Sequence, residues 1–136
     1  MKIFVSTKGH NDIVDLTSEI EKIVKKSDVK DGVACLFVSG STAALSTLEY
    51  EPGLVEDLKR ALEKIAPEGA DYKHHKKWGD HNGAAHIRAA LMKPCLCVPI
   101  ENGNLALGTW QQVVLVDFDE KPREREIIVK ILKVGS

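Results

Sequence analysis

"CLCVPIENGNLALGTWQQVVLVDFDEKPREREIIVKILKV", residues 95–134, is the stretch on which the fold turns. It divides into "CLCVPI", an "ENGN" turn, "LALGTWQQVVLVDF", a "DEKPRE" turn and "REIIVKILKV", which together read as a run of strands. Asn102-Gly103 is the strongest hairpin signal in the chain, since both residue types tolerate positive φ. Gly108 inside the second apolar run suggests a bulge or a close backbone approach. A meander that follows the helices, rather than strands alternating with them, predicts an α+β fold instead of a parallel βαβ array.

Upstream, "KIFVST" (2–7) reads as a first strand. Leu16, Ile20, Ile23 and Val24 recur at helical spacing behind Asp15, a capping residue type, and Lys25-Lys26 suits the negative end of that helix. "DG" at 31–32 punctuates, and "VACLFVS" is apolar enough for a strand covered on both faces. "ALSTLE" alternates as a strand with Glu49 near its end. Pro52-Gly53 breaks it, and Leu54, Leu58, Leu62 and Ile65 mark a second helix that stops at Pro67. Residues 67–82 read as an irregular loop, and a third helix runs from about 83 to 92.

At 136 residues the chain is the size of one domain, residues 1–136. Hydrophobic residues make up 43% and charged residues 29%, a balance typical of chains that fold. The net charge is -1, so no global field argues for nucleic acid or an anionic membrane as a partner. The odd set Cys35, Cys95 and Cys97 has no C-x-x-C spacing and lies in apolar runs, which predicts reduced thiols packed in the core. "MKIFVSTKGH" lacks an apolar signal region, and no apolar run approaches the roughly 20 residues of a membrane span. A cytoplasmic location is the expectation.

"WGDHNGAAHIRAAL" (78–91) gathers chemistry at a helix entrance. Asp80 and Asn82 stand where side-chain oxygens cap free N–H groups, and His86 follows about one turn inside, on a face set by Ile87 and Leu91. Gly83, Ala84 and Ala85 leave the first turn nearly bare, open to a phosphate or other anion; the competing structural reading is a capped helix with His86 hydrogen-bonded in the core. His74 and His75 in "YKHHKK" are further candidates, against the plainer reading of a solvated charged loop. "LGTWQQ" presents Thr109, Trp110 and Gln111 together, or else buries Trp110 at a bulge. Ser41 and Thr42 after a buried strand can bind an oxyanion, with Glu49 as base or ligand. The chain lacks H-E-x-x-H, a Cys/His zinc pattern, G-x-S-x-G, a P-loop and G-x-G-x-x-G.

In order and spacing, "STAALSTLEYEPGL", "AHIRAALM", "NGNLALGTWQQVVLVDFD" and the closing basic strand resemble the YjbQ family, which is named for secondary thiamine-phosphate synthase activity. The likeness runs from the first strand to about Leu132. It implies an α+β β-sandwich with three helices and a C-terminal strand meander, and a homotrimer whose sheets pack around a threefold axis with sites near subunit boundaries. It also implies a transferase that joins hydroxymethylpyrimidine diphosphate to a thiazole phosphate and releases pyrophosphate. On that implication His86, Glu49 and Asp80 are catalytic, and Thr42, His74, Asn82, Thr109, Trp110 and Gln111 bind a phosphorylated small molecule, to which the residue reading adds the Ser41 hydroxyl.

Two departures bear on metal. Gly40 and Ala84 stand where many relatives carry histidines, and His81 where they carry an acid. With those imidazoles gone, His86 and Asp80 are the remaining metal candidates. Mg2+ held through Asp80 or Glu49 then suits the donor set better than Zn2+. The rival readings are a non-catalytic trimer that binds a small anion, and a metal-dependent hydrolase in which the His/Asp cluster holds a water-activating ion.

Overall fold

The computed structural model describes residues 1–135, apart from the side chains at 77 and 78, so the aromatic that opens "WGDHNG" lies outside the described residues. Its order is β1 (Lys2–Thr7), β2 (Asp12–Asp15), α1 (Thr17–Ser27), β3 (Asp31–Val38), β4 (Ala43–Leu48), α2 (Pro52–Ile65), α3 (Lys73–Trp78), α4 (Gly83–Met92), β5 (Cys95–Glu101), β6 (Asn104–Leu105), β7 (Gln112–Asp117) and β8 (Arg123–Lys133). All strand pairs are antiparallel, in a five-stranded sheet β1-β8-β3-β5-β6 and a three-stranded sheet β2-β7-β4. The α+β class holds.

Two apolar layers result. Between the sheets, Ala34, Leu36 and Val38 of β3 meet Leu45, Val113 and Leu115 from the smaller sheet, with Ile20 and Val24 of α1. On the other side of the smaller sheet, Ala44, Val114 and Val116 pack on Leu62 of α2 and Ala85 and Ala89 of α4. The three-stranded sheet is therefore apolar on both faces, which is why "QVVLVD" reads as an unbroken hydrophobic run.

Several expectations need correction. The run of C-terminal strands is not one meander. β5 and β6 form the hairpin, with Asn102 at φ 51 and Gly103 at φ 79, but β7 crosses to the other sheet and β8 returns between β1 and β3. "LALGTWQQVVLVDF" is not continuous either, because residues 106–111 form a loop between β6 and β7, and Gly108 belongs to that loop rather than to a strand bulge. β3 is fully buried on one face only, with Phe37 45% exposed.

Local signals were also displaced. Pro52 does not simply end β4 but starts α2, where its missing N–H costs nothing, and the Glu51 carboxylate accepts from Gly53 and Leu54 N–H. Asp15 accepts from the Thr17 N–H and hydroxyl ahead of α1, as its position suggested. The presumed irregular loop contains α3, a fourth helix. Its histidines and lysines lack an apolar period, so nothing in the pattern marked it.

Candidate functional site

α4 begins at the end of β7 and β4 that holds Thr42 and Asp117, and α3 packs across its first turn. Gly83 makes that packing close. A Cβ there would lie 2.8 Å from Tyr72 and 2.9 Å from His75 Nε2. The expected oxygen caps are absent, since Asn82 makes no capping bond. Instead His75 Nε2 accepts the Gly83 N–H at 3.0 Å, which identifies the unprotonated nitrogen of that ring. The first turn, with Gly83, Ala84 and Ala85 buried, is thus covered rather than open to an anion.

His86 does not share the buried stripe of α4, and Ile87 and Leu91, expected to line its face, are exposed. The buried stripe is Ala85, Arg88 and Ala89. His86 stands beside His74 with ring centroids 4.5 Å apart, and it faces a hollow of about 200 Å3 lined by Gly40, Ser41, Ala43, Ala89, Ala90 and Pro94. Desolvation and then the His74 charge push the His86 imidazole below its ordinary value, outweighing the carboxylates of Asp119 and Asp80 and the Ser41 backbone. At neutral pH it is a neutral imidazole, able to accept a proton or a metal.

His74 Nδ1 and Asp80 Oδ1 are 3.4 Å apart, yet each is buried without a hydrogen-bond partner, as is Asn82 Oδ1. Buried polar atoms of this kind are normally satisfied, which makes these three the groups of this region with hydrogen-bonding capacity to spare. Among the described residues no three His, Cys, Asp or Glu side chains converge as a ready metal cage. His81 stands edge-on to His75, with ring centroids 5.2 Å apart. It lines, with His10, Glu68, Asn82 and Ala84, a second hollow of about 170 Å3, so a side chain at 84 would enter that space rather than the one at His86.

Beneath the site lies a buried ionic hub that residue-by-residue reading missed. Arg125 grips Asp117 through two hydrogen bonds of 2.8 Å and donates to Thr42 Oγ1 at 2.7 Å, while Thr7 donates to the same carboxylate. Thr42 donates onward to Asp119 at 3.1 Å, and Arg123 and Asn82 also donate to Asp119, at 3.0 and 3.5 Å. Burial alone would raise both carboxyls. The hydrogen bonds of Arg125 and Thr7 on Asp117, and of the Glu120 N–H and Thr42 with the Arg123 charge on Asp119, hold them below the ordinary range. The D-F-D spacing was the available signal, two acids at the end of an apolar strand, and just past β7 the Asp119 N–H donates to Asp117 at 3.0 Å. Gly40 belongs to this design. At φ 137 it sits where a Cβ would lie 2.8 Å from Arg125 Nη1, so any side chain there would be strained and crowd the guanidinium.

Thr42 is therefore in the hub, Ser41 and His86 line the hollow, His74 stands against His86 with Asp80 beside it, Asn82 reaches Asp119 and lines the second hollow, and the remaining candidates lie elsewhere. Glu49, Thr109, Trp110 and Gln111 are at the opposite end of the smaller sheet, where Leu48 pairs with Gln112. The six residues of β4 separate the two ends by about 17 Å. Gln111 is fixed there, donating to Thr47 Oγ1 and accepting the Gly108 N–H, both at 3.0 Å. Trp110 is not in a core but 74% exposed.

The family profile described as UPF0047 protein YjbQ-like matches residues 1–134. The chain belongs to this family. A UPF0047 protein of Archaeoglobus fulgidus is 39% identical, over 97% of this chain and all of its own length. One from Synechocystis is 35% identical over 95% of this chain and 88% of its own. Among solved structures, a YbjQ-like protein of unknown function from Sulfolobus solfataricus superimposes with a TM-score of 0.92 at 37% identity, covering 98% of this chain and 95% of that one. A YjbQ/UPF0047 protein from Clostridium acetobutylicum gives 0.88 at 35% identity, covering 97% and 99%. UPF0047 membership thus spans the whole two-sheet architecture, including both ends of the smaller sheet. Within the described residues no helix is long and apolar enough to cross a membrane.

Proposed function

We propose that this UPF0047 chain is a cytoplasmic transferase acting on a small phosphorylated metabolite, with thiamine-phosphate synthesis as its activity. The observation that carries the reading is neutral His86 on the wall of a hollow, with His74 against its ring and the unpartnered Asp80 Oδ1 beside His74. In such a reaction the diphosphate departs as positive charge grows on the pyrimidine methylene, and the thiazole nitrogen then bonds to that carbon. The protein's task is to neutralise the departing charge and hold the two rings in line.

Asp80 and Asn82 offer two oxygens, which suits a hard divalent ion. Mg2+ commonly arrives with one or two carboxylates, waters and substrate phosphates rather than in a complete protein cage. When bound, such an ion would supply positive charge to the leaving diphosphate. Ser41 offers a hydroxyl at the rim, His86 takes or gives a proton, and Thr42 holds the rim loop to Asp119 and Arg125.

The two separated ends support assembly. An exposed Trp110 beside Glu49 and Gln111 has no ring to stack on within its own protomer's His86 hollow, so we place a neighbouring copy's Trp110 end against that hollow, in a homotrimer. The test is direct. Purified protein supplied with hydroxymethylpyrimidine diphosphate, thiazole phosphate and Mg2+ is expected to form thiamine phosphate and pyrophosphate, and His86→Ala to abolish it. Product no greater than with His86→Ala would overturn the reading.

The orphaned oxygens also favour a second reading, a metal-dependent hydrolase. It predicts phosphate ester hydrolysis without the thiazole partner, abolished by chelators.

A further inference from the structure

The three cysteines were expected in the core, and the structure moves them out of it. In β5 the inner face is taken by Leu96, Val98 and Ile100, so Cys95 and Cys97 point to the outer face of the five-stranded sheet and are exposed in the single chain. Cys35 of β3 shares that face and is half-buried. The register pairs Cys35 directly with Cys97, and their Sγ atoms are 3.3 Å apart. Cys95, two pairs along on the same face, is opposite Phe37 instead.

We propose that Cys35 and Cys97 are a redox modification site that a low-molecular-mass disulfide converts to a reversible cross-strand disulfide, with Cys95 outside the bond. Directly opposed residues of an antiparallel pair hold their Cα atoms about 4.5–5.5 Å apart, inside the 4.4–6.8 Å range that disulfides span. Bond formation therefore needs the two sulfurs to close a short gap with no change of register. Cys95 and Cys97 lie two apart on one strand, about 6.7 Å between Cα atoms with parallel side chains, which disfavours that pairing.

The chemistry balances in two exchanges. The thiolate of exposed Cys97 attacks one sulfur of the reagent, forming a mixed disulfide and expelling the first small thiolate. The Cys35 thiolate then attacks Cys97 Sγ, forming the cross-strand bond and expelling the second. The reagent takes up the two electrons, and the expelled thiolates take up the two protons that the protein thiols release. The order of attack follows from exposure. It is reinforced at Cys35, whose hydrogen bond with Cys97, burial and neighbouring thiols push it up. The bond would link the two strands whose ends frame the His86 hollow, where the Val38 N–H donates to the Pro94 carbonyl at 3.0 Å.

The experiment treats the native protein with oxidised glutathione, then blocks free thiols and maps peptides by mass spectrometry. The expected product has lost two hydrogens, keeps one free thiol at Cys95, joins the Cys35 and Cys97 peptides, and regains three thiols on adding reduced glutathione. Cys95→Ser is expected to form the same bond, whereas Cys35→Ser and Cys97→Ser stop at a glutathione adduct or do not react. Adducts alone in the wild-type protein, a bond involving Cys95, crosslinks between chains, or no reaction would each overturn the proposal.

Discussion

The two ends of the three-stranded sheet are built on opposite principles. At the Asp117 end the charged groups beneath the site are paired and three of the four are buried: Arg125 with Asp117, Asp119 with the exposed Arg123, and Thr42 bridging the two. At the Gln112 end the same strands finish in a loop whose Trp110 is exposed and whose Gln111 is occupied with its own backbone. Polar groups that must hold a fixed geometry in low dielectric need full pairing, because an unpaired buried charge is costly. An exposed indole is useful only once something covers it. The ionic hub of the first end is complete within one chain, whereas the second end leaves its indole uncovered.

Removing a member of the hub should produce the largest effect. Asp117→Ala leaves the buried Arg125 guanidinium without its carboxylate and is expected to cost about 3–5 kcal/mol in chemical denaturation. A loss below about 1 kcal/mol would show that water replaces the carboxylate and that the end is not closed.

Acid attacks the same hub. Asp117 and Asp119 are held below their ordinary range in the folded protein, so their contribution is fully present above the unfolded carboxyl value. It should drain away as pH falls from about 4 through the lower folded values. Unfolding midpoints followed from pH 7 to pH 2 should drop steeply only in that acid range. A midpoint that stays level there would contradict the pairing.

His86→Ala should separate chemistry from stability. The turnover expected of the wild-type protein should fall by about 100-fold or more, while the unfolding midpoint moves by less than about 1 kcal/mol, since His86 supports no hub contact. Equal losses in both would recast His86 as a packing residue. Trp110→Ala should give the smallest stability effect, within about 0.5 kcal/mol for the protomer, together with weaker assembly in light scattering. Unchanged assembly would remove the partner role given to that end.

How much of this was legible beforehand depends on the kind of signal. Binary patterning identified the strands, because Val113 to Val116 and the alternation of β8 report burial directly. It could not say which sheet each strand joins. The meander expected at the C-terminus failed because β7 pairs with β2 and β4, contacts set by the whole chain rather than by neighbours in sequence. The helix entrance drew attention for the right residue types but partly the wrong reason. Asp80 and Asn82 resemble caps, yet His75, eight residues before Gly83, takes the N–H, and no local rule pairs residues across a loop. Arg88 was invisible for a related reason. A charged side chain in an alanine-rich helix reads as surface, whereas here it is 1% exposed and bonded to the Ala66 carbonyl, Asn11 and Glu63. The separation of Glu49 and Trp110 from His86 was equally hidden, because motif proximity in sequence says nothing about which end of a strand a residue occupies.

Mixing two inactive variants tests the central claim, that the hub end of one protomer works with the Trp110 end of another. Glu49→Ala and His86→Ala, each expected to be inactive in the thiamine-phosphate assay, should regain up to about a quarter of wild-type turnover when co-expressed, since mixed assemblies contain some intact pairs of ends. Activity no higher than in either variant alone, in mixed assemblies confirmed by mass, would show that each protomer must supply both ends itself and would contradict the account.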